Sequence, residues 1–100
     1  MSKPNVHVLA TFTCKADKVD ELIINLKILI SKVQAEAGCI KYDCYRDLAD
    51  PLRFTFIEEW ASAEDLAVHA AGENLKWWGP VSADLREPGT DVRKLTGIYS

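Results

Sequence analysis

Apolar and polar positions alternate from Asn5 to Cys14: Val6, Val8, Ala10, Phe12 and Cys14 share one face, and His7, Leu9, Thr11 and Thr13 share the other. A period of two predicts a strand. The second face is itself partly apolar, so something is expected to cover it. His7 lies there and reads as an edge or interface histidine. From Asp17 to Ala37 the spacing lengthens to the helical one, through Val19, Leu22, Ile23, Leu26, Leu29, Ile30, Val33 and Ala37, with Gly38 as the stop. Ile24 and Ile28 fall on the opposite side of that helix, one turn apart, and read either as scattered surface residues or as a contact with another subunit. Cys39 to Asp47 reads as a second strand, placing Ile40, Tyr42 and Cys44 with the core and Lys41, Asp43 and Tyr45 behind. Asp50-Pro51 is a turn signal.

The stretch Arg53 to Ala71 is the least ordinary. On a strand from Phe54 to Trp60, Phe54, Phe56, Glu58 and Trp60 share one face, which puts a carboxylate in an aromatic row. Ser62 with Asp65 is a capping signal for a helix on which Ala63, Leu66, His69 and Ala70 fall on one side. If that side packs on the strand, His69 faces the same interior as Glu58 and Trp60. Asn74 reads as a cap for a further helical segment through Trp77 and Trp78. Gly79-Pro80 predicts a kink or two short pieces, because proline removes a backbone donor and clashes with the preceding turn. Pro88-Gly89 closes the segment, and Asp91 to Tyr99 reads as the last strand.

The order is strand, helix, strand, strand, helix with extension, strand. It predicts one α+β domain over residues 1–100, of the ferredoxin-like kind: a four-stranded antiparallel sheet with its helices on one face. The other face carries Leu9, Thr11, Tyr45, Thr55 and Ile57 and is expected to pack on the same face of a second copy.

Composition narrows the function classes. The chain has 100 residues, 48% hydrophobic and 27% charged, as a globular domain with a modest core does. No apolar run approaches the roughly 20 residues that span a bilayer, and the start MSKPNVH does not resemble a leader, so no membrane is expected and the cytoplasm is the expected address. A net charge of −3, with its 12 basic residues scattered, argues against nucleic acid. Three cysteines without a CxxC suggest neither a disulfide framework nor a zinc site and read as reduced core thiols. There is no glycine-rich phosphate loop and no HExxH, so no metal and no nucleotide cofactor are expected.

What remains is an apolar pocket with a few polar groups. Glu58, desolvated among aromatic rings, is a candidate proton acceptor near neutrality. Histidine titrates there unaided, which makes His69 its partner or its replacement. The structural alternative is that Glu58 fixes the strand-to-helix corner and Trp60 is plain core. Phe54, Phe56, Trp60, Trp77 and Trp78 are candidate apolar walls, and Tyr42 either offers a phenol to a ligand or is a core aromatic.

Phe54, Glu58, Trp60, Leu66, Ala67 and His69, preceded by Glu36-Ala37-Gly38-Cys39-Ile40-Lys41-Tyr42, Tyr45-Arg46 and Asp50-Pro51, resemble the signature of the antibiotic biosynthesis monooxygenase family. The likeness runs over nearly the whole chain. It implies a homodimer of the dimeric α/β barrel type, and resemblance to the quinol monooxygenases implies an oxidation without flavin, haem or metal. There a small aromatic diol, deprotonated by His69 or Glu58, itself reduces molecular oxygen. Where the family often has a second histidine, this chain has Asn74. The scaffold also hosts isomerases of small, sometimes phosphorylated, metabolites, for which Arg53, Arg86 and Arg93 are available, and non-enzymatic binding or stress-response modules. Haem degraders carry an asparagine near where this chain has Leu9.

Overall fold

The computed structural model describes residues 4–98. Its elements are β1 (Val6–Thr13), α1 (Val19–Val33), β2 (Cys39–Arg46), β3 (Arg53–Trp60), α2 (Ala63–Ala70), α3 (Glu73–Ala83) and β4 (Asp91–Leu95). The strands form one antiparallel sheet in the order β2-β3-β1-β4. The expected ferredoxin-like arrangement is what the chain adopts. The helices form one layer on the sheet: α1 turns Leu22, Leu26, Leu29 and Val33 onto it, while Ile24 and Ile28 stay exposed on its outer side. Val8, Ala10, Phe12, Tyr42, Phe54, Phe56 and Trp60 rise from the sheet to meet them.

The local signals act as their chemistry requires. Ser62 caps α2, its hydroxyl accepting from the Asp65 N–H at 3.1 Å. Gly38 ends the connection after α1 with φ +78°, and a Cβ there would run into the Asp65 side chain, so glycine serves both the backbone angle and the close approach of α2.

Four expectations need correction. Ile40 is 53% exposed rather than in the core: the β2–β3 register shifts between Cys39 and Lys41, and this bulge turns Ile40 outward while Cys39 packs on the core in its place. Gly79-Pro80 does not split the last helix, since α3 runs through Pro80 without interruption. A residue before proline resists the helical region because its Cβ crowds the proline ring, and Gly79 has no Cβ. Asn74 is not the cap of α3; Gly72 is, and the Asn74 side chain is engaged elsewhere. The last strand ends at Leu95, and Tyr99, expected in it, lies outside the described residues, as do Met1, Ser2 and Lys3.

On the far side of the sheet Leu9, Tyr45 and Ile57 are exposed, and Thr11 and Thr55 share a hydrogen bond at 3.1 Å. His7 is there too, with Nδ1 4.0 Å from Glu59. Among the described residues no helix is long and apolar enough to cross a membrane. The cysteines are unpaired, Cys14 buried and Cys39 and Cys44 partly so.

Candidate functional site

Between α2, α3 and the inner face of the sheet lies a cavity of about 520 Å³, a size suited to a small organic molecule. Its floor is β1 and β3, through Val6, Val8, Ala10, Phe12, Phe56 and Glu58, with Tyr42 on β2. The helical pattern of α2 delivers Ala63, Leu66, Ala67, His69 and Ala70 to its wall, and α3 adds Leu75, Trp78 and Ser82.

One end of this cavity is polar. His69, only 4% exposed, packs against Trp60 at a tilt of 31°, ring centroids 4.4 Å apart, and meets Tyr42 edge-on at 5.5 Å. Its Nδ1 is 2.9 Å from Glu36 Oε1. Glu36 sits in the turn between α1 and β2, where its other oxygen accepts from Asn74 Nδ2 at 2.7 Å. With a carboxylate as its partner, Nδ1 carries the proton, and Nε2 is left as the ring's acceptor.

Glu58 is 6% exposed, and its Oε1 accepts from the Trp60 indole N–H at 3.0 Å. Burial pushes its carboxyl above the usual carboxylate range, and the nearby Glu36 adds to this; the Trp60 hydrogen bond, and His69 when it is protonated, only partly offset it. Tyr42, the register partner of Glu58 on β2, is raised by burial first and by the Glu58 charge second, so it remains a neutral phenol. His69 and Glu58 thus both line one end of an otherwise apolar chamber.

The residues singled out from the sequence separate into two layers. His69, Glu58, Tyr42, Phe56 and Trp78 line the cavity together. Trp60 and Phe54 do not: Trp60 is fully buried behind His69 and Glu58, and Phe54 stacks on Phe12 at 5.8 Å beside it on the same sheet face, outside the lining. Trp77 faces α1, where Lys32 Nζ sits 5.1 Å over its ring. Among the described residues no three His, Cys, Asp or Glu side chains gather as metal ligands. Arg53 and Arg93 lie outside the cavity beside Asp47 and Asp91, whereas Arg86 lines it, together with Lys94.

Sequence reasoning missed the Glu36 and Asn74 contacts and the lining role of Ser82 and Lys94. Glu36 meets His69 across 33 positions, a separation no local period reports. Alternation along β4 was the available sign for Lys94, which shares the face of Val92.

Residues 5–78 match the sequence model of the antibiotic biosynthesis monooxygenase family. No curated protein matches the chain in sequence. Among solved structures, a conserved protein from Methanosarcina mazei is 28% identical with a TM-score of 0.88, the match covering 92% of this chain and 91% of that one. A structure named simply as an antibiotic biosynthesis monooxygenase is 27% identical with a TM-score of 0.87 over 93% and 98% of the two chains. A protein from Nitrosomonas europaea, at 19% identity, shares the fold with a TM-score of 0.90 over 99% and 95%.

Proposed function

Because the chain belongs to the antibiotic biosynthesis monooxygenase family, we propose that it is a cofactor-independent monooxygenase acting on a small aromatic diol, a quinol. The observation that carries this reading is the His69–Glu36 pair at 2.9 Å, set beside the buried Glu58 at the end of an apolar cavity. The ring of the diol lies among Phe56, Trp78 and Leu66, with one hydroxyl toward His69. His69 Nε2 takes the phenolic proton, and Glu36 steadies the resulting imidazolium through Nδ1. Glu58, whose affinity for a proton is raised, serves as a second proton site for the other hydroxyl. The anion then reduces dioxygen: a ring C–O bond forms, the O–O bond breaks, and the second oxygen atom leaves as water. A naphthoquinol and dioxygen give a hydroxynaphthoquinone and water, with atoms and electrons balanced. The apolar walls keep bulk water from the reactive anion.

A homodimer joined through the far side of the sheet belongs to the same proposal. It is supported by the exposed Leu9, Tyr45 and Ile57 on a face that no helix covers.

The test is oxygen consumption by the cofactor-free protein with a panel of reduced naphthoquinols, corrected for autoxidation. Uptake that depends on protein and falls by about 10²–10⁴ in His69→Ala is the expected result. Uptake no faster than autoxidation throughout the panel, or unchanged in the variant, refutes it.

A further inference from the structure

Two cations line the same cavity, Arg86 away from the His69 end and Lys94 level with Glu58 on the β4 side. Register fixes where they stand. Val8 pairs with Glu58 on one side and with Lys94 on the other, so Lys94 belongs to the same row of the sheet as Glu58, two strands across, roughly 10 Å between backbones. Arg86 is bridged to Cys14, six residues farther along the β1 line, roughly 20 Å of strand from Val8. The cavity therefore has a long axis, with His69 and Glu58 at one end and Arg86 toward the other, while Lys94 stands at the open β4 side.

Among the described residues neither cation is neutralised. Among the described residues no carboxylate lies in ion-pair contact with either; the Arg86 guanidinium makes only a 3.4 Å contact to the Glu87 carbonyl, and neighbouring Arg93 takes Asp91 for itself. Arg86 is half-buried and Ser82, on the same wall, is fully buried. An unpaired guanidinium at the edge of an otherwise apolar chamber is matched by an anion, and its planar fork suits a carboxylate.

We infer that the cavity takes an aromatic acid: a flat hydroxyarene whose hydroxyl meets the His69 end and whose carboxylate, at the opposite end, is bound by Arg86, with Lys94 adding positive charge from the β4 side. The orientation of the hydroxyl rests on the function proposed above; the anion subsite rests on Arg86 and Lys94 alone. Apolar walls hold the ring either way, so the cations decide which rings are preferred.

The experiment is calorimetric titration of the whole protein with 6-hydroxy-2-naphthoate and with 2-naphthol, which differ by the carboxylate. The naphthoate is expected to bind about tenfold more tightly, an advantage that shrinks as salt is raised. Arg86→Gln is expected to remove most of that preference and leave 2-naphthol binding unchanged, because the fold uses only the Arg86 backbone, which pairs with Cys14 and Ser82. Lys94→Gln weakens the preference to a lesser degree. Equal affinity for the two compounds in the wild type, binding of neither, or a preference that survives in the Arg86→Gln, Lys94→Gln double variant overturns the inference. No oxidation takes place in the titration. A preference for the acid in a protein that consumes no oxygen removes the monooxygenase reading alone, and oxygen uptake with no preference for acidic quinols removes this one alone.

Discussion

His69 Nδ1 and Glu36 Oε1 stand 2.9 Å apart although 33 positions separate them in the chain. The pair ties the end of the α1 connection to α2 across the top of the cavity, and Asn74 at the start of α3 holds the second Glu36 oxygen. Three elements thereby converge on one imidazole, whose lower face rests on Trp60.

Glu36→Ala leaves a buried imidazole N–H without its acceptor, which costs about 1–3 kcal/mol. Urea denaturation should show that loss, whereas Glu36→Gln, which still offers an acceptor oxygen, should keep most of the stability. Both variants should lower kcat more than they raise KM, because neither touches the cavity wall that holds the ring.

Glu58 makes stability depend on pH with a defined sign. Its carboxyl is raised in the folded protein by burial, so the fold binds that proton more tightly than the unfolded chain does. The contribution is fully present below the unfolded value, about 4.3, and is lost as pH rises through the folded value. Glu58→Gln retains an acceptor for the Trp60 indole and removes the buried charge. Thermal melts should place the variant above wild type at neutral pH and bring the two together toward pH 4; a variant less stable at neutral pH would mean that the ionised carboxylate is needed by the fold.

Gly38→Ala meets two obstacles at once, a φ of +78° and the Asp65 side chain where the Cβ must go. A destabilisation of more than about 1 kcal/mol is expected in chemical denaturation. Gly38→Ala combined with Asp65→Ala should recover only the share of the steric cost due to the carboxyl group, because the Asp65 Cβ that alanine keeps also stands in the way, and a double-mutant cycle measures that share.

Leu9 and Ile57 face each other across β1 and β3 on the uncovered side of the sheet. Ile57→Lys places a charge in the middle of the face through which the dimer is proposed to form. Sedimentation should then report a monomer where the wild type is a dimer, with secondary structure intact by circular dichroism. An unchanged mass would put the dimer contact elsewhere or remove it.

How far the chain can be read without its structure differs by element. The Phe54–Trp60 alternation places four side chains on one face and all four are buried, because a strand's period is set by its own backbone. Leu22, Leu26, Leu29 and Val33 are legible for the same reason on a helix, and so is the Ser62 cap, whose bond closes within three residues. The ferredoxin-like order, the inward turn of His69 and its company with Glu58 follow from such local rules. Ile40 escaped them because a bulge breaks the period, and whether a bulge forms depends on the partner strand. Gly79-Pro80 escaped them because α3 is held as one helix by its packing, and the missing glycine side chain lets the backbone comply. The Glu36–His69–Asn74 cluster, the retreat of Trp60 and Phe54 behind the cavity wall, and the arrival of Arg86 and Lys94 at its rim belong to the tertiary structure alone. Each depends on how far apart packed elements stand, and a separation between elements has no periodicity for a sequence to display.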